Sequence, residues 1–178
     1  MSVLIELFEA TGPAKTSELV YNMNWKNVSA VDSSYKYWTF PINRPIDDVD
    51  DELYVCSYVK YVYAKISGTY SKVKRVRWSV NGTPGNFSRL YYNMTNSYTN
   101  PNVNLMSNGV LINSPVVIVP CLSTVSPESA TTRITTLSPN TTYYTNYFTT
   151  QLYVQRKNYN NVGNTQPINF YLSLDDYE

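Results

Sequence analysis

Residues 52–80 have the sequence ELYVCSYVKYVYAKISGTYSKVKRVRWSV and decide the fold of this chain. Two runs of β-branched and aromatic residues flank Ser67, Gly68 and Thr69, and an Asn81-Gly82 pair follows the second run. Such side chains suit a pleated, half-buried surface, and a glycine between polar residues favours reversal of the chain. The stretch therefore predicts a β-hairpin that turns at Gly68.

The first run of this predicted hairpin lacks a polar face. Because side chains alternate across a strand, one face is predicted to hold Tyr54, Cys56, Tyr58, Val62, Ala64 and Ile66. The other face is predicted to hold Val55, Ser57, Val59, Tyr61, Tyr63 and Lys65. A strand with two apolar or aromatic faces lies between two layers or beneath a partner. Tyr61 and Tyr63 are therefore candidate subunit contacts.

The second run is more one-sided. One face is predicted to hold Lys74, Val76, Trp78 and Val80, and the other Val73, Arg75, Arg77 and Ser79. The guanidinium groups of Arg75 and Arg77 are then expected to project together into solvent. They form a second candidate subunit contact.

A run of acidic residues precedes the hairpin and complements its arginines. The acidic candidates for the same subunit contact are Asp47, Asp48, Asp50 and Asp51. Opposite charges on one small protein set the register and specificity of packing, within one subunit or between neighbours. Clustered carboxylates are also ligands for calcium. The run lacks the spacing and central glycine of an EF-hand loop, so no metal ion is predicted. A solvated loop is the alternative to a contact with the arginines.

Composition favours one all-β domain over residues 1–178. The chain has 18 tyrosines, 6 glycines and no histidine among its 178 residues, and abundant tyrosine, threonine and valine is typical of β-structure. A chain of this length can bury a sizeable core without disulfides. Its formal net charge of +1 does not favour nucleic acid or an anionic membrane as partner.

Further strands are predicted along the chain. They are expected at residues 3–8, 19–25, 35–42, 87–92 and 116–119, the last of these as a short buried strand. A second hairpin is predicted from residues 142–156 and 168–174. Eight or nine strands and no helix indicate a two-sheet β-sandwich, for which a jelly-roll arrangement is one option.

Long alternation marks the first strand of the second hairpin. One face is predicted to hold Tyr144, Phe148, Leu152 and Val154, and the other Tyr143, Tyr147, Gln151 and Tyr153. Exposed tyrosines offer a broad amphipathic surface for a partner or a glycan. The candidates for such contact are Tyr91, Tyr92, Tyr98, Tyr143 and Tyr147. The alternative is that these rings line the two sheet faces.

The sequence predicts no catalytic residue and no cofactor. Without histidine the chain lacks the commonest general base and metal ligand. It also lacks a glycine-rich phosphate loop, a Cys-x-x-Cys pair and a Gly-x-Ser-x-Gly elbow. Ser57 and Lys60 match a Ser-x-x-Lys motif, but an offset of three on a strand sends them to opposite faces.

The cysteines and the N-terminal residues predict a soluble chain made in a cytoplasm. Cys56 and Cys121 lie in apolar runs and are interpreted as free buried thiols, with a disulfide between them as the alternative. The apolar segment at residues 3–8 is too short and too acidic for a signal peptide. No apolar run reaches the ~18 residues that span a bilayer.

Several short motifs carry a resemblance to a known group of proteins. They are Asn24-Trp25-Lys26, Phe40-Pro41-Ile42, Val76-Arg77-Trp78, Ser126-Pro127-Glu128, Thr149-Thr150-Gln151-Leu152 and the acidic end of residues 172–178. In this order the chain resembles small β-rich virion structural proteins of tailed bacteriophages of the cyanophage type. The resemblance extends over nearly the whole chain.

The resemblance implies a non-catalytic structural protein of the virion. Such a protein is assembled in the host cytoplasm in many copies, against copies of itself and other virion proteins, as a capsid decoration or cement, neck, tail or baseplate component. The alternative is a carbohydrate-binding host-adhesion module that uses the exposed tyrosines. A virion component is the function predicted for this chain.

Overall fold

The computed structural model describes residues 2–20, 54–82, 88–101, 106, 108–113, 115–155 and 168–175, with the backbone alone at 54–56 and 154–155. The described residues form thirteen strands: β1 (Ser2–Thr11), β2 (Thr16–Leu19), β3 (Tyr54–Cys56), β4 (Lys60–Thr69), β5 (Val73–Asn81), β6 (Ser88–Thr95), β7 (Val110–Leu111), β8 (Val116–Ile118), β9 (Leu122–Ser123), β10 (Thr136–Leu137), β11 (Tyr143–Thr145), β12 (Tyr147–Gln155) and β13 (Asn169–Asp175). Within these ranges one 3-10 turn occurs, at Pro127–Ser129.

The strands form two antiparallel sheets, which confirms the predicted all-β sandwich. The larger sheet has nine strands. Six of them follow the order β2-β1-β4-β12-β6-β7, while β3 pairs with β12, β11 pairs with β4, and β9 pairs with β11. The smaller sheet has four strands, in which β5 pairs with β13 on one side and with β8 and β10 on the other. More strands occur than predicted because several are only two or three residues long. The jelly-roll option and the single-domain boundary stay predictions.

The hairpin predicted from residues 52–80 is wrong. β4 lies in the larger sheet and β5 in the smaller one, so the chain crosses between sheets after Thr69. Tyr70 is buried at this crossing, and its hydroxyl donates a hydrogen bond to the carbonyl oxygen of Thr141. Each run has an apolar face, and the two faces are buried against each other only when the strands lie on opposite sheets.

The second predicted hairpin is wrong for the same reason. β12 belongs to the larger sheet and β13 to the smaller one. Phe148 of β12 and Phe170 of β13 meet edge to face across the interior, with ring centroids 5.7 Å apart. Apolar alternation thus predicted both strands correctly. They do not pair with each other, because their apolar faces are buried against each other from opposite sheets.

The core fills the space between the two sheets. Val62 and Phe148 from the larger sheet pack in one cluster with Trp78 and Val80 from the smaller sheet. The rings of Trp78 and Phe148 stack with centroids 5.4 Å apart. We call the face of the larger sheet that is turned away from this core its outer face.

A one-residue bulge separates β3 from β4. Cys56 lies opposite Tyr153, whereas Lys60 lies opposite Thr150, so the register against β12 shifts by one residue between these pairs. A bulge of this kind reverses the alternation of side chains beyond it. The predicted faces of the first run therefore do not continue unchanged from β3 into β4.

A second bulge lies between β11 and β12. Tyr144 pairs with Lys65, whereas Phe148 pairs with Val62, again a shift of one residue. As a result Tyr143 packs in the core and Tyr144 on the outer face, opposite to their predicted sides. For residues 147–153 the predicted faces are confirmed.

A third bulge lies at Arg75, whose φ of +52° is in the left-handed region. The register between β5 and β13 shifts beside it, between Ser173 and Asp175. Val73 is therefore buried in the same cluster as Val76. The predicted face shared by Val73 and Arg75 is wrong.

Of the other predicted strands, three correspond to strands of the structure and two lie wholly or mostly outside the described residues. Those at residues 3–8 and 87–92 correspond to β1 and β6, and the one at 116–119 to β8. β8 pairs only with β5 within the described part of the chain, and Val117 is 61% exposed, so the prediction of a buried strand is wrong there. The strand predicted at 35–42, and most of that at 19–25, lie outside the described residues. In the described ranges no helix is long and apolar enough to cross a membrane.

Candidate functional site

The outer face of the larger sheet carries a cluster of tyrosine rings. Tyr61 and Tyr63 alternate along β4 with the core residue Val62, so their rings point away from the smaller sheet. Each of the two rings meets that of Tyr147 edge to face at 5.7 Å. Phe8 from β1 stacks on Tyr63 with ring centroids 5.3 Å apart.

The chain itself covers the two tyrosines predicted as subunit contacts. Tyr61 is 7% exposed and Tyr63 is 8% exposed. The hydroxyl of Tyr61 lies 2.6 Å from Oγ1 of Thr99, in the segment that follows β6. Tyr61 therefore holds this connecting segment onto the sheet, whereas Tyr63 is covered by rings from β1, β11 and β12. Each side chain leaves less than a tenth of its surface for a neighbouring subunit.

Tyr147 occupies the centre of this cluster. Its hydroxyl donates a hydrogen bond to Oε1 of Glu128, which also forms an ion pair with Lys15. Lys15 Nζ lies 5.8 Å from the centroid of the Tyr147 ring. Burial raises the pKa of Tyr147 well above its ordinary value of 10.0, and burial lowers the pKa of Lys15. The neutral phenol thus fastens the turn after β1 and the 3-10 turn to one sheet.

The five tyrosines predicted as an exposed platform do not share one surface. Tyr143 and Tyr147 are buried, so the prediction that they are exposed is wrong. Tyr92 faces the core and stacks on Phe148. Tyr91 and Tyr98 are half-buried and belong to the outer face. Alternation along a strand predicts the face on which a tyrosine lies. It does not predict whether another segment of the chain covers that ring.

A buried polar network lies beside Tyr91, and no pattern in the sequence predicted it. The side chain of Gln151 donates from Nε2 to the Ser57 carbonyl oxygen (2.8 Å) and accepts from the Tyr153 hydroxyl (2.8 Å). The amide of Met106 also donates to Oε1 of Gln151 (2.9 Å). The rings of Tyr91 and Tyr153 lie 4.5 Å apart. This network shapes the outer face around Tyr91.

The serine and lysine of the Ser-x-x-Lys match serve different partners. Ser57 Oγ donates to the Tyr58 carbonyl oxygen (2.9 Å) and accepts from the Leu152 amide (3.0 Å). Lys60 Nζ forms an ion pair with Glu9 at 2.7 Å, in which the two side chains are 1% and 7% exposed. Sequence reasoning missed this buried pair, because nothing in the pattern links residues on β1 and β4.

The outer face of the smaller sheet carries the two arginines. Arg77 Nη2 lies 2.6 Å from Oδ2 of Asp175, and Arg75 Nε lies 3.9 Å from the same oxygen. Val117 on β8 and Tyr171 on β13, 61% and 51% exposed, flank Ser79 of β5 in register. We call the set Val117, Tyr171, Arg75, Arg77 and Asp175 the outer patch.

The arginines thus lie together at the surface, and their described acidic partner is Asp175. The predicted partners Asp47, Asp48, Asp50 and Asp51 lie outside the described residues. Cys121 is a half-buried free thiol, and the side chain of Cys56 is outside the described set. Among the described side chains, no group of three or more Cys, Asp or Glu could hold a metal ion.

The fold places the chain in the class of all-β, two-sheet sandwich proteins. Comparisons with protein-family models, with curated proteins and with solved structures found no match to this chain. Among the residues that the structure describes, the outer patch and the outer face of the larger sheet carry the candidate contact residues.

Proposed function

We propose that this chain is a non-catalytic structural protein of a tailed-bacteriophage virion, assembled in several copies through protein–protein contacts. The observation that carries the proposal is the outer patch, where exposed apolar side chains lie beside two arginines that share one carboxylate. Tyrosine and arginine are enriched in interfaces and among the residues that dominate binding energy. The motif resemblance supports a virion, in the capsid, the neck, the tail or the baseplate.

The register of the smaller sheet gives the outer patch a definite shape. Val117 and Tyr171 lie on the two strands that flank β5, roughly 10 Å apart, with the small Ser79 between them. Arg77 lies two residues before Ser79 on β5, so its side chain projects from the same face. Two exposed apolar side chains therefore lie beside a charged edge, an arrangement that suits a docking surface with a polar rim.

A second copy of the chain fits this surface. The outer patch carries both signs of charge, because Arg75 and Arg77 lie on β5 and Asp175 lies on β13. In a two-fold contact the same patch meets itself, so an arginine of one copy can face the Asp175 carboxylate of the other. Such pairs set orientation more than affinity, and burial of Tyr171 and Val117 would supply the affinity.

Sedimentation over increasing protein concentration tests this function. The wild-type chain is expected to self-associate, and the double variant V117S/Y171S to weaken its association at least about tenfold. Val125→Ser is the matched control, since Val125 is exposed in the segment before the 3-10 turn and outside the outer patch. A wild-type chain that stays monomeric at high concentration and binds no virion component would overturn the proposal.

A carbohydrate-binding module is the second candidate. Tyr91 and Tyr98 favour it, since both rings are half-buried on the outer face and Tyr91 packs against Tyr153. A glycan array on the wild-type chain and on Tyr91→Ala decides between the candidates. Specific binding that Tyr91→Ala loses would favour the module, and an empty array would count against it.

A further inference from the structure

Two Asn-Gly pairs occur in the sequence, at Asn81-Gly82 and at Asn108-Gly109. Both asparagines are exposed. A glycine after asparagine leaves the next backbone amide uncrowded and easily rotated, because glycine has no Cβ. The nitrogen of that amide can attack the asparagine side chain, and asparagine then loses ammonia without an enzyme. The two pairs are therefore candidate modification sites, and they differ in how the fold holds them.

Asn81 is held in the smaller sheet. It is the last residue of β5, and it pairs in register with Asn169 of β13. Ring closure requires the Asn81 backbone to leave its extended conformation, so that the Gly82 nitrogen meets the side-chain carbon. The pairing between β5 and β13 must open first, and opening a paired strand costs more free energy than opening a turn.

Asn108 lies in a turn on the larger sheet. β7 begins only at Val110, and Asn108 has a φ of +58°, in the left-handed region. Rotation out of that region relieves strain in a residue other than glycine. The Gly109 amide donates to the Met106 carbonyl oxygen at 3.4 Å, beyond the usual range of roughly 2.7–3.2 Å. Breaking this long hydrogen bond frees the nitrogen that attacks.

We propose that Asn108 is a site of spontaneous deamidation in the folded chain, and that the fold protects Asn81. The Gly109 nitrogen gives its proton to a base in the solvent and forms a bond to the side-chain carbon of Asn108. The bond from that carbon to the side-chain nitrogen breaks, and ammonia leaves. Water then opens the succinimide ring at one of its two carbonyl carbons, which yields aspartate or isoaspartate. The reaction consumes water, releases ammonia and needs no other reactant.

The product alters the larger sheet beside Tyr91. A Cβ at Gly109 would lie 3.3 Å from Cβ of Tyr91, so the turn packs closely against β6. Deamidation therefore adds a negative charge at the turn next to Tyr91. Isoaspartate also lengthens the main chain by one carbon just before β7, whose Leu111 pairs with Tyr91.

Incubation of the full chain in mildly alkaline buffer, followed by peptide mass spectrometry, tests the site. The folded chain is expected to deamidate at least about tenfold faster at Asn108 than at Asn81. In concentrated urea the two rates should become similar, because the pairing that restrains Asn81 is then gone. Equal rates in the folded chain, a faster rate at Asn81, or no reaction at Asn108 would overturn the proposal. A tenfold difference that persists in urea would also overturn it, since the fold would not be its cause.

Asn108→Gln is the matched variant, because glutamine keeps the amide group but must close a larger ring. It should abolish the mass gain in the peptide that holds residue 108 and leave the rate at Asn81 unchanged. A gain that persists in this peptide would come from another residue, such as Asn113, and would contradict the assignment. The proposal does not depend on the virion function, so either can fail alone.

Discussion

Lys60 Nζ lies 2.7 Å from Oε1 of Glu9, and the ion pair they form is buried between β1 and β4. Removing one member of a buried pair leaves an uncompensated charge in the interior, which typically costs 3–5 kcal/mol. We expect Lys60→Met to lower the free energy of unfolding by about that amount in urea titrations. The double variant E9Q/K60M should recover part of the loss, because no isolated charge remains.

The double variant is also the control for packing. If Lys60→Met destabilises through lost packing alone, E9Q/K60M should be no more stable than the single variant. A Lys60→Met chain within about 1 kcal/mol of wild type would show that the pair is solvated in solution.

Gly68 and Gly12 form a matched pair of glycines with positive φ. Gly68 has a φ of +116°, and a Cβ there would lie 2.3 Å from the Ser2 carbonyl oxygen of the adjacent strand. Gly12 has a φ of +67° and open space around its Cβ position. We expect Gly12→Ala to cost about 1 kcal/mol and Gly68→Ala about 3 kcal/mol or more, since only the latter must displace backbone.

Thermal or urea unfolding of the two glycine variants checks this difference. Equal losses at the two positions would mean that β1 does not approach Gly68 as the structure shows. A wild-type-like Gly12→Ala would not alter the expectation for Gly68→Ala.

Tyr147 should make the chain sensitive to alkali. Burial raises its pKa in the folded state, whereas an unfolded tyrosine loses its proton near pH 10. Its stabilising contribution is therefore fully present below pH 10 and is lost as the pH rises towards the folded-state value. The free energy of unfolding should fall by up to about 1.4 kcal/mol per pH unit above pH 10 on account of this residue.

Tyr147→Phe is the test of that assignment. The variant should lose some stability at pH 7, because its hydrogen bond to Glu128 is gone, and should show a shallower decline above pH 10. Urea titrations of both chains between pH 7 and pH 11 measure the two slopes. Identical slopes would show that other groups govern the alkaline transition.

The outer patch should matter for association and not for folding. Val117 and Tyr171 are exposed, so V117S/Y171S is expected to change the free energy of unfolding by no more than about 1 kcal/mol, or about 0.5 kcal/mol for each substitution, at a concentration where the chain is monomeric. The same variant is expected to lose self-association. A large drop in monomer stability would mean that these side chains serve the fold.

The sequence predicted strands well and their partners poorly. Alternation over residues 60–66 and 73–80 identified β4 and β5, because burial on one face imposes a period of two. Nothing in that period says which strand lies alongside, so both predicted hairpins were wrong. Tyr70, at the crossing between the sheets, looks in the sequence like one more strand residue.

Bulges explain most of the errors in the predicted faces. Arg75 adopts a positive φ without being glycine, and the one-residue shift there moved Val73 to the buried side. The shift between β11 and β12 exchanged Tyr143 and Tyr144 in the same way. Such shifts depend on long-range contacts, as when the Ala64 amide donates to Thr145 Oγ1 in place of a regular ladder bond.

The predicted contact residues were also located only in part. Arg75 and Arg77 were correctly placed together at the surface, since no apolar partner could bury two guanidinium groups. Tyr61, Tyr63 and Tyr147 were not identifiable as covered, because a ring looks the same in sequence whether a loop lies over it or not. The coverage comes from segments distant in sequence, such as Thr99 and Glu128.

Counting this chain in purified phage particles tests the central proposal most directly. Quantitative mass spectrometry should find the chain in particles from the source of this sequence, at many copies per particle and in a fixed ratio to the major capsid protein. Its absence from intact particles, with the protein present in the infected cells, would contradict a structural role in the virion.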